Sequence, residues 1–150
     1  MFPLSGYSDI QSYNTSINEI NSGEEYQKGI VTINGISIYV DLAIKENQKK
    51  NGLSIKDSID SNEGMLFFFD EPQKTSFWMK NMKFPIDIIW LDESFSIVHI
   101  EKNIQTCESD LYCPTYTPNT NALYVLETIA GFSQKYNLKI GDKVLFEPLE

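Results

Sequence analysis

The alternation of apolar and polar positions over residues 29–44 predicts a β-hairpin. Asn34 and Gly35 are residue types that adopt the two positive φ angles of a type I′ turn. Pairing outward from this turn gives three opposed pairs that share one apolar face: Ile33–Ile36, Val31–Ile38 and Gly29–Val40. Because strand side chains alternate between two faces, this apolar set determines the pairing register of the hairpin.

Further strands and two short helices follow the hairpin. Residues 64–69 form an uninterrupted apolar run, which predicts a central strand buried on both faces. Other strands are predicted at 75–80, 86–91, 96–101, 122–126 and 143–147, the first of these returning after a turn at 70–74. Helical segments are predicted at 45–51, ending at Gly52, and at 128–137, with Asn137 as a left-handed cap. The pattern predicts a mostly β fold, an antiparallel β-sandwich or barrel with one or two short helices.

Composition limits the partners and the domain organisation. The formal charge of −9 argues against nucleic acid, and the absence of arginine removes bidentate guanidinium recognition. No apolar run approaches the roughly 20 residues of a membrane span. We expect a linker-like segment at 1–27 and one β domain at 28–150. Residues 1–4 are too short for a signal peptide, so an N-terminal signal or anchor ahead of them stays open, as does glycosylation at Asn14.

The two cysteines, Cys107 and Cys113, are separated by five residues. Two cysteines and a single histidine, His99, do not make a four-ligand zinc site, and we expect neither a metal nor a cofactor. A local disulfide is the favoured interpretation, and two unpaired thiols in a cytosolic loop are the alternative. A persistent disulfide would place the protein in an oxidising compartment.

Several motifs together resemble the domain-of-unknown-function family 192, whose prokaryotic members are often secreted or lipid-anchored. They are Glu63-Gly64-Met65-Leu66-Phe67, Phe77-Trp78-Met79-Lys80-Asn81, Pro85-Ile86-Asp87-Ile88-Ile89, the Cys107/Cys113 pair, Tyr124-Val125-Leu126-Glu127, Ala130-Gly131 and Gly141-Asp142. The resemblance implies a jelly-roll-like β fold and an extracytoplasmic location. It implies no catalytic residues. Where the family usually has an Arg-Gly-Leu-Met run, this chain has Asn51-Gly52-Leu53-Ser54.

The candidate site centres on polar residues that interrupt an apolar stretch. Lys80, Asn81 and Asp87 flank a turn between predicted strands. They are either polar groups at the base of a ligand pocket or a structural ion pair or hydrogen-bonded cluster that closes the sheet. A possible aromatic platform adds Trp78, Tyr112, Tyr116 and Tyr124, although core packing is the favoured role of Trp78 and Trp90. We expect any pocket near Trp78, Lys80, Asn81 and Asp87, with the loop around Tyr112 as its roof.

These residues support three hypotheses about function. The leading one is a non-catalytic extracytoplasmic binding or accessory module for a small molecule, a glycan or a protein of the cell envelope. The second is a carbohydrate hydrolase that uses Asp87 and Glu127 as a carboxylate pair. The third is a purely structural envelope component. The absence of any nucleophile or phosphate-binding motif favours the first hypothesis.

Overall fold

A computed structural model describes residues 25–109 and 111–150, and the described chain is mostly β, as predicted. Its strands are β1 (Gln27–Ile33), β2 (Ile36–Ala43), β3 (Glu63–Gln73), β4 (Phe77–Trp78), β5 (Ile86–Leu91), β6 (Ile97–Ile104), β7 (Thr115–Tyr116), β8 (Ala122–Ile129) and β9 (Val144–Pro148). Its two short helices are α1 (Glu46–Asn51), continued by a 3₁₀ turn at Gly52–Ile55, and α2 (Phe132–Lys135). The linker predicted at 1–27 and the sequon at Asn14 lie largely outside the described residues, and Gln27 already belongs to β1.

Seven of these strands form one mixed sheet in the order β6-β5-β8-β3-β2-β1-β9. The hairpin register is the predicted one, with Val31 opposite Ile38. The expectation of antiparallel pairing throughout is wrong at one place, because β2 and β3 are parallel. The connection through α1 and the 3₁₀ turn returns the chain to the starting end of the sheet, as a parallel pair requires. The sheet does not close into a barrel.

The predicted turn at 70–74 and the returning strand predicted at 75–80 are also wrong in their bounds. The central strand β3 runs on to Gln73, and both of its edges are occupied, by β2 and β8. The returning chain therefore pairs elsewhere, and β4 joins β7 in a small separate sheet. This second sheet lies over one face of the large one, where Phe77 and Tyr116 pack against the residues beneath them.

The large sheet carries an apolar cluster on each face, because alternate side chains of its central strands point in opposite directions. One cluster contains Leu66, Phe68, Ile89 and Leu126, and the other contains Met65, Phe67, Ile88 and Trp90. Strand β3 is buried on both sides, as its sequence predicts. The second face, which carries Phe67, is the one that α1, the 3₁₀ turn and the small sheet cover.

Gly52 and Asn137, the residues predicted to end the two helical segments, both have positive φ angles. Gly52 ends α1 with a φ of 51°, and Gln48 of α1 accepts hydrogen bonds from the backbone N–H groups of Ile44 and Lys45. Helix α2 is shorter than the predicted segment, because Thr128 and Ile129 belong to β8. Asn137 takes the expected left-handed conformation, with a φ of 54°.

Candidate functional site

A cavity of about 300 Å³ opens between α1, the 3₁₀ turn and the chain around β4. Its floor is the second face of the large sheet, where Phe67 and Phe69 of β3 lie beside Glu127 of β8. Phe77 packs edge-to-face on Phe67, with ring centroids 5.2 Å apart, so the inner wall is aromatic. The volume is at the lower end of the range of about 300–1,000 Å³ for ligand pockets. The floor is largely aromatic, whereas polar side chains of α1, the 3₁₀ turn and the chain around β4 line the sides.

Glu127 is the most informative group of the cavity. Its residue is only 5% exposed, and the strand positions opposite it are Met65 of β3 and Ile88 of β5. Within the described part of the chain, its carboxyl group has neither a hydrogen bond nor an ion pair. Burial raises the pKa of Glu127 to about 8, because desolvation disfavours the charged form. At neutral pH the group is mainly a protonated acid that can both donate and accept a hydrogen bond.

Thr75 is a further polar residue of the cavity lining. The segment that carries it is fixed by Trp90, whose indole Nε1–H donates to the Thr75 carbonyl at 3.1 Å. The Thr75 hydroxyl Oγ1 is buried without a hydrogen-bond partner in the described structure. That oxygen is closed off from the cavity, so Glu127 is the polar group of the floor that a bound molecule can reach, and its lack of a partner points to a ligand that supplies one.

Three lysines line the cavity, Lys49, Lys50 and Lys80. Lys49 of α1 lies 5.0 Å from the centroid of the Phe69 ring and pairs with the exposed Glu46 at 3.0 Å. Lys80 lies 5.3 Å from the Trp78 ring centroid. Neither Lys50 nor Lys80 has an acidic partner among the described residues. Two uncompensated cations at one opening are notable in a chain with a formal charge of −9.

A second, smaller cavity of about 160 Å³ adjoins the first and shares Trp78 and Lys80 with it. Its other side is the loop of the disulfide that joins Cys107 and Cys113, as predicted. Tyr112 of that loop is 72% exposed, and Lys80 forms an isolated β-bridge with Cys107. The disulfide loop is thus held beside the larger cavity, and Trp78 and Lys80 form the ridge between the two cavities.

Asp87 has the structural role that was one of its two predicted alternatives. It is fully buried, and its carboxylate accepts hydrogen bonds from the backbone N–H groups of Asn103, Gly131 and Ser133 at 2.7, 3.2 and 2.8 Å. These bonds tie β5 to the end of β6 and to the start of α2. Among the described residues no side chain bonds to this carboxylate, so Lys80 is not its partner, and Asp87 lines neither cavity.

The structure divides the predicted site residues into two sets. Trp78, Lys80 and Glu127 line the larger cavity, and Tyr112 lines the smaller one. The others line neither: Asn81 is exposed in a turn, Tyr116 packs in the second cluster, and Asp87 and Tyr124 are buried in the sheet. Tyr124 stacks on Phe95 with ring centroids 4.0 Å apart, and it therefore cannot belong to an exposed aromatic platform.

The exposure of Trp78 contradicts the core role that the sequence favoured for it. Core packing was favoured for both tryptophans, yet Trp78 is 54% exposed, whereas Trp90 is fully buried. The cavity-lining residues Lys49, Lys50 and Thr75 were not predicted. The only sequence signal was the pair of adjacent lysines on a short predicted helix, and such a pair is equally typical of a solvent-exposed surface.

The carboxylate pair proposed for hydrolysis does not form. Glu127 lies opposite Ile88 and Thr128 lies opposite Asp87 in the β5–β8 ladder. Since adjacent ladder positions point to opposite faces, the side chains of Asp87 and Glu127 are on different sides of the sheet. Within residues 25–109 and 111–150, no three His, Cys, Asp or Glu side chains are grouped as metal ligands would be. The described helices are all too short to cross a membrane.

Comparison with known proteins identifies the family. The model of the DUF192 family, described as "Uncharacterized ACR", matches residues 29–146, so the chain belongs to this family, as its motifs predicted. No curated protein matches the chain.

Two solved structures are similar to this one. One, from Sinorhizobium meliloti 1021, is described as a candidate transcription regulator, with 27% identity, a TM-score of 0.73 and coverage of 83% of this chain and 95% of that chain. The other is a protein of unknown function from Novosphingobium aromaticivorans DSM 12444, with 25% identity, a TM-score of 0.69 and coverage of 79% and 83%.

Proposed function

We propose that the protein is a non-catalytic binding module that acts outside the cytoplasmic membrane and holds a small molecule or glycan in the Glu127 cavity. The observation that carries this proposal is the buried Glu127 carboxyl group, which opens onto a cavity of about 300 Å³ without any partner in the described chain. Leaving such a group unpaired costs stability, about 1–3 kcal/mol for a neutral group, and a ligand that pairs with it recovers this cost.

The extracytoplasmic part of the proposal rests on the Cys107–Cys113 disulfide. Structural disulfides persist in oxidising compartments and are rare in the cytosol. The secretion habit of the family favours the same location. Mass spectrometry of the non-reduced protein from its native source provides the test, and two alkylatable thiols in that material would count against this location.

The S. meliloti neighbour is described as a candidate transcription regulator, and the charge of this chain argues against a nucleic-acid ligand. Nucleic-acid binding depends on a cationic face that displaces counterions from phosphates, and this chain has a formal charge of −9. We propose a ligand other than nucleic acid.

Ligand binding can be tested with a matched pair of variants in α1. Asn51 lines the cavity and Asn47 is exposed on the same helix away from it, so Asn51→Trp obstructs the opening and Asn47→Trp is the control. A thermal-shift screen with defined sugars, organic acids and amino acids should find compounds that raise the Tm of the wild type and of Asn47→Trp but not of Asn51→Trp. A screen with no such compound would contradict the binding role.

The same compounds separate binding from catalysis. A compound that binds should be recovered unchanged after long incubation with the protein, as analysed by mass spectrometry. Turnover that disappears in Glu127→Gln would instead favour hydrolysis with Glu127 as a general acid, since a pKa near the working pH suits that role.

A further inference from the structure

We propose that the two adjoining cavities form one groove for an acidic saccharide chain, whose carboxylates contact Lys50 and Lys80 and whose sugar rings pack against Trp78. This inference rests on the proposed binding role and names the ligand class of the same site. It follows from the charge at the opening, the polar group at the floor and the shape of the two cavities together.

The charge at the opening favours an anion. Lys50 and Lys80 lie at the larger cavity without acidic partners in the described chain, and Lys80 is shared with the smaller cavity. The acidic residues of the lining are Glu46, which is exposed and paired with Lys49, and Glu127, which is buried. A ligand carboxylate would supply the charge partner that both free lysines lack, through charge-assisted hydrogen bonds.

The floor of the larger cavity favours a ligand rich in hydroxyl groups. The Glu127 carboxyl group lies there without a partner in the described chain, beside the rings of Phe67 and Phe69. The apolar part of a fatty or purely aromatic acid would cover the Glu127 carboxyl group without a hydrogen-bond partner, which is unfavourable. A sugar ring offers hydroxyls that donate and accept, together with an apolar C–H face that suits an aromatic wall.

The shape of the site favours a chain over a single sugar. The cavities of about 300 and 160 Å³ meet at Trp78 and Lys80, and the disulfide loop with Tyr112 borders the smaller one. A ligand carboxylate at Lys80 would lie next to the half-exposed indole of Trp78, because the ammonium is 5.3 Å from that ring. Successive sugar units can then occupy the two cavities on either side of this ridge.

Glu127 makes this recognition dependent on pH. Other titratable groups that line the cavity are Glu46, Lys49 and Lys50 from α1 and Lys80 after β4, while Met65 and Ile88 opposite Glu127 carry no charge. Below the pKa of about 8, the neutral Glu127 acid donates a hydrogen bond to a ligand oxygen. Above it, the carboxylate repels an acidic ligand. Affinity should fall about tenfold between pH 6.5 and pH 9, and Glu127→Gln should remove this fall.

The test uses trisaccharides of galacturonic, glucuronic and mannuronic acid, with the neutral galactose, glucose and mannose trisaccharides as matched ligands. Isothermal titration at pH 6.5 should give at least one uronate trisaccharide an affinity tenfold or more above its neutral counterpart. Lys80→Gln should weaken that affinity about fivefold to tenfold, as expected for a lost charge-assisted hydrogen bond. Lys139→Gln makes the same charge change at an exposed position that lines neither cavity, and it should leave the affinity unchanged.

The outcomes separate this inference from the proposed function. Equal affinity for acidic and neutral trisaccharides would overturn the preference for an acidic ligand and leave a saccharide-binding module. Binding of none of the six would overturn the inference as a whole, while a compound from the Asn51→Trp screen could still establish a ligand site. Binding of an acidic trisaccharide that Lys80→Gln leaves intact would overturn the assignment of the site.

Discussion

Glu127 and Asp87 are buried carboxyl groups on neighbouring strands, and their surroundings make them chemically different. Asp87 receives three backbone N–H hydrogen bonds, whereas Glu127 faces a cavity and receives none in the described chain. A fully buried carboxylate whose two oxygens both accept main-chain hydrogen bonds is a structural element, because a ligand cannot reach it. The surroundings of each carboxyl group, rather than its residue type, therefore decide whether it has a structural role or faces a ligand site.

The replacement Asp87→Asn should destabilise the protein by roughly 1–3 kcal/mol, because a neutral amide is a weaker acceptor and turns an NH₂ group toward backbone donors. Urea denaturation provides the measurement. Asp60→Asn, at an exposed position, should change the free energy of unfolding by less than about 0.5 kcal/mol. Unchanged stability in Asp87→Asn would contradict the structural role.

Glu127 should lower stability as the pH rises. Its pKa is about 8 in the folded protein against an ordinary 4.5, so between these values the folded state binds more protons than the unfolded state. The stabilising contribution is complete below about pH 4.5 and is lost by about pH 8. Between pH 5 and pH 9 we expect the wild type to lose roughly 2–4 kcal/mol more than Glu127→Gln does.

Urea titrations of the two proteins at both pH values measure this difference. The exposed Glu147→Gln variant is the control, and it should lose as much stability as the wild type. Parallel pH profiles of the wild type and Glu127→Gln would show that Glu127 titrates normally, and they would remove the basis for its proposed pH-dependent role.

At the scale of elements, the disulfide loop is held to the site from two sides. Its two cysteines are joined covalently, and Cys107 forms a β-bridge with Lys80 of the cavity ridge. After the loop, β7 pairs with β4, which carries Trp78. The small sheet and the disulfide therefore position the same short segment, and the exposed indole of Trp78 depends on both.

The double replacement Cys107→Ser/Cys113→Ser should lower the free energy of unfolding by roughly 2–3 kcal/mol, since the cross-link restricts the unfolded chain. Urea denaturation with and without a reducing agent measures this effect. The reductant should destabilise the wild type by a similar amount and leave the double variant unchanged. A reductant-insensitive wild type would contradict a stabilising disulfide.

At the scale of the whole molecule, the two edges of the open sheet approach each other at one end. Val144 of β9 donates its N–H to the Phe95 carbonyl, and Ile97 of β6 donates to that of Asp142, both at 2.9 Å. An isolated bridge joins Ser96 and Lys143. These bonds link the first and last strands of the sheet order without closing it into a barrel.

Hydrogen exchange should reveal this link. The amides of Ile97 and Val144 should exchange as slowly as those of central strand β3, because their opening requires separation of the two edges. The exposed Lys102, farther along edge strand β6, serves as the comparison and should exchange faster. Two-dimensional NMR of the protein in D₂O measures all three sites, and fast exchange at Ile97 and Val144 would contradict the link.

The sequence by itself determined features that depend on a short stretch of chain. The register of the Asn34–Gly35 hairpin, the burial of β3 on both faces and the need of Asp87 for hydrogen-bond donors all follow from alternation and local turn chemistry. The disulfide was predictable for the same reason, because five residues are a short separation.

Only the tertiary structure decided which strands became neighbours, and with that the site. Alternation assigns a side chain to one face of a strand but does not say which strand lies beside it or what covers that face. The parallel pairing of β2 with β3 carries α1 across the second face, where Lys49 and Lys50 line the same cavity as Glu127, about 80 residues later in the chain. The same alternation, once β5 and β8 are paired, separates Glu127 from Asp87, because adjacent positions of a ladder must point to opposite sides of the sheet.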